Sequence, residues 1–509
     1  MRKIILLAAL AISFTLCRSQ SIVYSNYSIK AATSAYKIIG KVGRNIIVWV
    51  CTDKRYSSEI LMYDDKLELT KKVTSDILMS DINPSPIFFN NNDSFCVAYQ
   101  YLKNKLWQYK IASFNENGNF ISEKILDSIQ NFNSVTDTAY YHYKFLQSAD
   151  KKTVCFAKFF YDKQNYIIKF NCNFFTEKTL HKNFVIPFDA NHDWLADFLI
   201  DNNKNFLFAI HHQTDSVSQL KIIKTNFSDD YMLIVQKDFA RISLQRESVR
   251  ILNTNNSYIV YEFGKPEITQ DSLHQNEGTF YLWRLDSGLN NNPGDSIYHN
   301  FNAENFKEVQ GDVIISANGN HLIVVQNKID ANQLRQQSYN LPPRPSFRSK
   351  APLSGETLHD FQMLTVMNFQ PAPLFLVPTP IGVADKYESD NLNIISKVTL
   401  FNIDMFNKIE WTKDFTMYSK DILFNVILNG TIVVNNDKIH LIYSVTTGKK
   451  NLIKHIVISY DGAETEKNAI AWHSSNSFII NQALQIDENT IIFPTLKGNK
   501  LDFVRMNLE

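Results

Sequence analysis

A short hairpin pattern returns eight times along this chain of 509 residues. Each copy has an apolar run, a tight polar turn and a second apolar run rich in aromatic and β-branched residues. A supersecondary unit that is repeated through a whole chain indicates a repeat architecture, in which each unit buries its apolar face against its neighbours. The copies occupy residues 36–50, 85–99, 143–157, 196–210, 249–263, 312–326, 430–444 and 481–495.

Further hairpin signals follow several of these copies, so the repeating unit is predicted to contain four antiparallel strands. Asn117-Gly118 and Asp461-Gly462 are the strongest of these signals, because a two-residue hairpin turn requires residues that accept positive φ. Four-stranded sheets repeated around an axis are the blades of a β-propeller. The sequence therefore predicts an all-β chain with eight blades, or seven if the irregular sixth repeat is not a blade. The second hairpins are predicted at 62–69, 113–125, 225–235, 400–411 and 458–467.

The two ends of the chain are predicted to meet in the last blade. The final repeat stops after its third strand, at 500–509, while an extended segment at 21–32 has no partner of its own. If that N-terminal segment supplies the missing outer strand, it closes the ring and removes an exposed sheet edge. Residues 20–509 then form a single domain.

The sixth repeat contains an insertion at 328–392, between its second and third strands, with a proline-rich stretch at 341–355. A shorter insertion at 264–278 occupies the same place in the fifth repeat. Compact domains rarely keep long irregular loops unless these bind something or are disordered. Arginine and aromatic side chains together are typical of interface hot spots. The binding residues predicted in the longer insertion are Arg335, Tyr339, Arg344, Phe347, Arg348 and His359.

Residues 1–19 have a short basic start, an apolar run and then polar residues, which predicts a secretory signal peptide cleaved after Ser19. The mature chain is then exported, either to the periplasm or to the medium. In the alternative, Cys17 is acylated and anchors a lipoprotein in the outer membrane, although Leu16 is bulkier than such signals normally carry. No other stretch predicts an integral membrane segment. Cys51, Cys96 and Cys155 lie among apolar strand residues and are predicted to be buried free thiols.

Two further clusters of polar and aromatic residues lie in connections between repeats and are candidates for ligand binding. His192, Asp193 and Trp194 precede the fourth repeat, and Trp472 and His473 precede the eighth. A His beside an Asp and a Trp suits sugar binding or proton transfer. In the alternative interpretation, the carboxylate caps a loop and the Trp packs between blades.

Several classes of function are disfavoured. The net charge of +1 provides no basic field for nucleic acid. No serine-hydrolase, phosphate-loop or dinucleotide motif occurs, and no Cys pair has metal-ligand spacing, so neither a cofactor nor a metal is predicted. His211 and His212 are adjacent in a strand and are expected to point to opposite faces. The oxygen-rich loop at 286–295 lacks the spacing of a calcium loop and is interpreted as a long hairpin turn.

Over almost all of 21–509 the hairpin series resembles β-propeller proteins in general, without the marker motifs of the WD-repeat, kelch or sialidase subfamilies. Its Asn, Lys, Ile and Phe-rich composition is similar to that of exported proteins from AT-rich bacteria such as Bacteroidota. We expect a monomeric module that binds a protein or glycan through its loop-rich face. The alternative is a propeller-type glycan hydrolase or lyase with its site at the channel mouth.

Overall fold

The computed structural model describes residues 22–30, 34–52, 58–75, 87–130, 141–328 and 394–508, apart from connecting segments inside these ranges, of which 267–276 and 420–429 are the longest. Almost every described residue that lies in regular structure belongs to a β-strand. The first two strands, β1 (Ile22–Tyr24) and β2 (Ile29–Lys30), belong to the last sheet of the chain.

The next sixteen strands form four sheets, and within each sheet every strand pairs antiparallel with the one that follows it. Sheet 1 contains β3 (Ser34–Val42), β4 (Asn45–Thr52), β5 (Ser58–Tyr63) and β6 (Leu69–Ser75). Sheet 2 contains β7 (Ile87–Asn91), β8 (Ser94–Lys103), β9 (Leu106–Asn115) and β10 (Phe120–Gln130). Sheet 3 contains β11 (Tyr141–Gln147), β12 (Val154–Asp162), β13 (Ile167–Phe174) and β14 (His181–Pro187). Sheet 4 contains β15 (Asp193–Ile200), β16 (Asn205–Gln213), β17 (Ser218–Asn226) and β18 (Met232–Phe239).

Sheets 5 to 7 repeat this order, except that the first strand of sheet 5 is interrupted, so that β19 and β20 both pair with β21. Sheet 5 contains β19 (Ile242–Leu244), β20 (Arg250–Asn253), β21 (Ser257–Pro266), β22 (Glu277–Asp286) and β23 (Ser296–Asn302). Sheet 6 contains β24 (Glu308–Ile315), β25 (His321–Lys328), β26 (Ile394–Ile403) and β27 (Ile409–Ser419). Sheet 7 contains β28 (Gly430–Asn435), β29 (Lys438–Thr447), β30 (Lys450–Ser459) and β31 (Glu464–Ala471).

Sheet 8 combines the two ends of the described chain. Its C-terminal part contains β32 (Asn476–Phe478), a 3-10 turn (Ile480–Gln482), β33 (Leu484–Asp487), β34 (Thr490–Lys497) and β35 (Lys500–Asn507). Both β1 and β2 pair antiparallel with β35, with Ile22 opposite Met506 and Ile29 opposite Leu501. Ser25 adds two hydrogen bonds with Phe503, one through each backbone amide. The predicted pairing of the N-terminal segment with the final repeat is therefore present.

The predicted hairpins are confirmed by strand pairing. All eight first hairpins are antiparallel pairs. The five second hairpins are also antiparallel pairs. Alternating apolar residues produce this result because the side chains of a strand point to opposite faces with a period of two.

The tight second-hairpin turns differ from the predicted two-residue type. In the turn after β9, the side-chain oxygen of Asn115 accepts hydrogen bonds from the amides of Asn117 and Asn119, both at 3.0 Å, and only Gly118 has a positive φ, of 68°. The prediction of positive φ at Asn117 was wrong, because the Asn115 side chain stabilises a longer turn that needs one left-handed residue. Asp286 caps its own turn in the same way, accepting from the amides of Gly288 and Asn290.

In sheets 1 to 7 the first-to-second and third-to-fourth strand turns lie at one end, here called the turn end, and in sheet 8 this end carries the turn between β33 and β34. The second-to-third connections and the links between sheets lie at the other, the connecting end. Hydrogen bonds join the turn ends of neighbouring sheets, so these ends lie side by side. The bonds join Asn45 Nδ2 to Glu116 O at 3.1 Å, Asp150 N to Asn202 Oδ1 at 3.0 Å, and Arg505 Nη1 to Asp65 O at 2.6 Å.

Apolar side chains between consecutive sheets form the core. Phe280 of sheet 5 contacts Phe401 of sheet 6, with ring centroids 5.1 Å apart. The last sheet also packs on the first, through a cluster that contains Val48 and Phe503. Buried clusters join the other neighbours through Trp49 and Phe95 (sheets 1 and 2), Phe89 and Phe145 (2 and 3), Phe184 and Phe198 (3 and 4), Leu207 and Trp283 (4 and 5), Leu400 and Leu441 (6 and 7), and Ile442 and Phe493 (7 and 8).

The predicted burial of the thiols is confirmed for Cys155 but not for Cys96. Cys155 is fully buried and Cys96 is half-buried, and neither forms a disulfide. Burial raises the pKa of the Cys96 thiol, although the Ser113 hydroxyl, 3.4 Å from its sulfur, acts in the opposite direction. The side chain of Cys51 and the whole of the predicted leader, including Cys17, lie outside the described residues. No helix in the described part of the chain is long and apolar enough to cross a membrane.

Candidate functional site

Polar side chains gather at the connecting end of sheet 4, where the chain arrives from sheet 3. Asp189 and His192 lie in the link between β14 and β15, and Asp193 is the first residue of β15. The backbone amides of His192 and Asp193 both donate to the carbonyl oxygen of Asp189, at 3.0 and 2.5 Å. The amide of Asp189 donates in return to Asp193 Oδ2 at 2.8 Å. These bonds close the link into a turn and hold its side chains in place.

Asp193 forms a charged cluster with residues of the two following strands. Its side chain is only 3% exposed, and Oδ1 accepts a hydrogen bond from His212 Nδ1 at 2.6 Å. The ammonium of Lys221 lies 3.7 Å from the same oxygen. His212 and Lys221 are one-fifth and one-quarter exposed, so their outer parts reach solvent. A buried carboxylate needs such partners, because an isolated charge in the interior is strongly unfavourable.

A β-bulge sets this geometry. The β15–β16 register shifts between Leu195 and Asp197, which places Asp193 directly opposite His212. Directly opposite residues share one face of a sheet, and this face also carries Leu195, which packs in the cluster against sheet 3. The bulge therefore positions the Asp193 carboxylate at the boundary between sheets 3 and 4.

His192 repeats the same arrangement beside this cluster. Its Nδ1 lies 2.8 Å from Asp189 Oδ2, and its ring centroid lies 5.8 Å from that of His212. Because an ionised carboxylate only accepts hydrogen bonds, each imidazole carries its proton on Nδ1. In the neutral form of each ring, Nε2 is then a lone-pair acceptor. Neither Nε2 makes a hydrogen bond to the residues that the structure describes.

Trp194 and His211 lie on the opposite face of sheet 4. Their ring centroids are 4.0 Å apart, and His211, which is fully buried, has its Nε2 3.0 Å from Ser218 Oγ. Trp194 packs on the cluster between sheets 4 and 5. The expectation that His211 and His212 point to opposite faces is confirmed. The sequence grouped Trp194 with His192 and Asp193, but the structure places the Trp between sheets and away from the two imidazoles.

Eight of the predicted binding residues lie outside the described part of the chain. The insertion itself connects β25 to β26, which pair with each other, so it is placed between the second and third strands of sheet 6 as expected. The residues concerned are Arg335, Tyr339, Arg344, Phe347, Arg348, His359, Trp472 and His473.

Sequence reasoning did not single out Asp189, His212 or Lys221 as members of the site. The strand alternation did place His212 on the face opposite His211, but nothing in the sequence showed which residue stood across from it. A second imidazole pair, His440 and His455, also went unnoticed. Its Nδ1 and Nε2 atoms are 2.8 Å apart, but both rings are buried inside sheet 7 and offer no surface to a ligand.

Chemically, the boundary between sheets 3 and 4 presents two partly exposed imidazoles, each oriented by a carboxylate, and one ammonium. Such groups accept hydrogen bonds from hydroxyls or amides through Nε2 and donate through Lys221. A carboxylate-oriented imidazole is also a suitable general base. Within the described ranges, no group of three or more His, Cys, Asp or Glu side chains is arranged to hold a metal ion.

Comparisons with known proteins show distant structural likenesses. No protein-family model and no curated protein matches the chain. The WD40 domain of SCAP from fission yeast is 8% identical, with a TM-score of 0.34, over 96% of this chain and 98% of that one. The polysaccharide lyase Uly1 is 6% identical, with a TM-score of 0.35, over 83% and 89% of the two chains. Oligopeptidase B from Leishmania major is 8% identical, with a TM-score of 0.39, over 92% of this chain and 54% of that one. Likenesses at this low identity carry no function.

Proposed function

We propose that this chain is an exported, closed propeller of eight blades that binds a protein or a glycan through the face formed by its connecting ends. The eight sheets, the contact of sheet 8 with sheet 1 and the adjacency of neighbouring turn ends support the ring. In this arrangement β1 and β2 complete the last blade. Export rests on the leader pattern of residues 1–19.

The observation that carries the binding function is the carboxylate-supported pair His192 and His212, which is held on sheet 4 with both Nε2 atoms turned away from their partners. Binding sites work best when side chains are fixed by a supporting layer on rigid elements. Here the carboxylates of Asp189 and Asp193 are that layer. The outward polar atoms are left for a ligand.

The two insertions add to the same face. They extend the connections β21–β22 and β25–β26, and both connections lie at the connecting ends of their sheets. A ring brings these ends to one side, together with the β14–β15 link that carries His192. We therefore include residues 264–278 and 328–392 in the binding surface, with the arginines and aromatics of the longer insertion as its anchors.

A binding experiment tests the proposal. The wild-type chain, a His192→Ala/His212→Ala double variant, and a chain with 330–390 replaced by a short Gly/Ser bridge are applied to a glycan array and used as bait in an envelope extract. A Lys66→Ala/Lys408→Ala variant is the matched control, because both lysines are exposed in turns at the turn end. We expect at least about a tenfold loss in one of the first two variants and none in the control. If the double His variant and the shortened chain both capture the ligand as well as the wild type, the binding surface lies elsewhere.

The Asp193–His212 pair favours one alternative, a glycan hydrolase or lyase that uses His212 as a general base. A 2.6 Å bond from a buried carboxylate to Nδ1 is the arrangement that orients a catalytic imidazole. In that case the protein shortens a glycan that the array identifies. Asp193→Asn would then lower the rate by about 10⁴-fold, the loss typical when such a carboxylate is replaced. Binding without any change in chain length favours the non-catalytic module.

A further inference from the structure

We infer that His192 and His212 together bind one transition-metal ion of the Zn²⁺ class, through their Nε2 atoms, at the boundary between sheets 3 and 4. The inference builds on the proposed function, because it assigns a ligand chemistry to the same surface. The ion would bind without a protein or glycan partner.

The first argument is the support of both rings. Imidazoles that bind metals almost always donate their other N–H to a carboxylate or carbonyl, which fixes the tautomer and raises the basicity of the coordinating nitrogen. Both rings have this partner, with Nδ1 distances of 2.8 Å to Asp189 and 2.6 Å to Asp193. Two adjacent imidazoles with the same support, one from a link and one from a strand, form a matched pair of ligands.

The second argument is the spacing of the rings. Their centroids are 5.8 Å apart and their planes are inclined by 54°. With Zn–N bonds of about 2.0–2.1 Å, two imidazoles that share an ion through Nε2 have ring centres about 5–6 Å apart. The observed separation falls in that range, so the ring spacing is compatible with one ion shared through the two Nε2 atoms.

The third argument is charge. With neutral imidazoles, the two carboxylates contribute −2 and Lys221 contributes +1, so the group has a net charge of −1. This favours a cation over an anion. Imidazole nitrogen selects Zn²⁺, Ni²⁺ or Cu²⁺ over Mg²⁺ and Ca²⁺, which prefer oxygen ligands. Two protein ligands leave open positions for water or for an oxygen atom of a bound partner, as expected for a site that recruits a ligand.

Lys221 gives the inference a distinctive signature. Its ammonium lies 3.7 Å from Asp193 Oδ1 and competes with the imidazolium or metal-bound form of His212 for the same carboxylate. Removing this positive charge while keeping the aliphatic chain should strengthen metal binding. An adventitious surface histidine would show no such dependence.

The test is a calorimetric titration of the tag-free full-length mature chain with ZnCl₂, and with MgCl₂ and CaCl₂ in parallel. We expect saturable 1:1 binding of Zn²⁺ only, abolished in His192→Ala and in His212→Ala. Asp193→Asn should weaken it by about 10- to 100-fold, and Lys221→Met should strengthen it. The matched control is His299→Gln, since His299 is a half-buried imidazole of sheet 5. Melting curves without metal establish that each variant folds.

A second readout separates ligation from a structural effect. In ¹⁵N spectra of the histidine rings, Zn²⁺ should shift the Nε2 resonances of His192 and His212 and leave their Nδ1 protons in place. Absence of saturable Zn²⁺ binding by the wild-type chain overturns the inference, as does equal binding by the double His variant. Because no glycan or protein partner is present, this outcome is independent of the array and capture experiment.

Discussion

The boundary between sheets 8 and 1 and the boundary between sheets 3 and 4 have similar apolar cores. They differ in the polar groups that they carry. Both are filled by apolar side chains, such as Phe503 against Val48 in the first and Phe198 against Phe184 in the second. The polar groups packed within the first boundary include the phenols of Tyr36 and Tyr63. The second carries the charged cluster around Asp193 at its connecting end.

The difference separates stability from function. A buried ion pair is rarely more stabilising than apolar residues of the same volume. The Asp193 cluster is therefore better explained by what it holds in place than by a contribution to folding. In contrast, the sheet 8–sheet 1 boundary joins the two ends of the described chain, and its side chains serve packing.

The largest expected effect comes from removing the N-terminal strands. Deleting residues 22–30 should lower the free energy of unfolding by more than about 4 kcal/mol, because β35 loses the pairing on its outer edge and the buried Ile29 is removed. Urea unfolding of a chain that begins at residue 22 and of one that begins at residue 31 measures the difference. Equal midpoints would show that the boundary between sheets 8 and 1 does not stabilise the fold.

At the other boundary, Asp193→Asn should cost about 2 kcal/mol, less than the full penalty for breaking a buried pair, because His212 and Lys221 are partly exposed. The same urea experiment gives the value. Lys221→Met provides a comparison on the exposed side of the cluster and should cost less than about 1 kcal/mol. If Asp193→Asn leaves the free energy of unfolding unchanged, the carboxylate is not an integral part of this boundary.

Tyr63→Phe should stabilise the protein by about 1 kcal/mol, because the Tyr63 hydroxyl is buried and makes no hydrogen bond to any residue that the structure describes. Burial also raises the pKa of Tyr63, with the charge of Asp502 as a further cause. The neutral phenol therefore favours folding fully below pH 10, and this contribution falls as the pH rises above 10, where the unfolded chain ionises. Thermal melts at pH 8 and pH 11 should show a smaller alkaline loss in the variant.

Tyr36→Phe is the matched control for Tyr63→Phe. Its hydroxyl donates to Gln482 Oε1 at 2.5 Å, so the substitution should cost about 1 kcal/mol at neutral pH. Burial raises the pKa of Tyr36 as well, and its removal should also reduce the alkaline loss. At pH 8 the two substitutions should change the free energy of unfolding in opposite directions, and at pH 11 both should raise it. Any other pattern contradicts the assignment of these phenols.

The smallest expected change in stability concerns the turns between the first and second strands of sheets 1 and 4. Gly43 of sheet 1 has a φ of 58°, and Lys204 of sheet 4 has a φ of 61°. A non-glycine residue is strained there, so Lys204→Gly should stabilise sheet 4 by about 0.5 kcal/mol after the entropic cost of glycine. A change in melting temperature of the opposite sign would show that the Lys204 side chain contributes more than its backbone costs.

The hairpins were predictable because strand alternation and polar turns are local properties of the sequence. The positions of residues with a left-handed backbone conformation were predictable only in part. Gly118 and Gly462 follow the usual preference, but Leu67 and Leu289 occupy the same kind of position, with φ of 58° and 61°, and both are buried. In those turns, tertiary packing of the leucine outweighs its conformational preference, and a sequence pattern does not show this.

The candidate site was predictable only in part, and the bulge in β15 is the reason. The pairs Phe198–Phe208 and Asp197–Ala209, if continued without a shift, place Asp193 opposite Gln213 and Trp194 opposite His212. Such a register would group Trp194 with the imidazole, as the sequence suggested. The extra residue at 196 shifts the register by one, so every preceding side chain of β15 lies on the opposite face and Asp193, not Trp194, stands across from His212. No turn or composition signal marks the bulge.

The hydrogen bond between Ser25 and Phe503 joins residues 478 positions apart. Contacts of such long range form late, because the entropy of closing the intervening loop must be met first. During synthesis, sheets 1 to 7 can each be completed by neighbouring segments as they emerge. Sheet 8 has to wait for the whole chain, with the edges of β1 and β35 unpaired in the meantime. The joining of its ends thus acts as a final assembly step, and chains shortened at either end would remain with an open, pairing-competent edge.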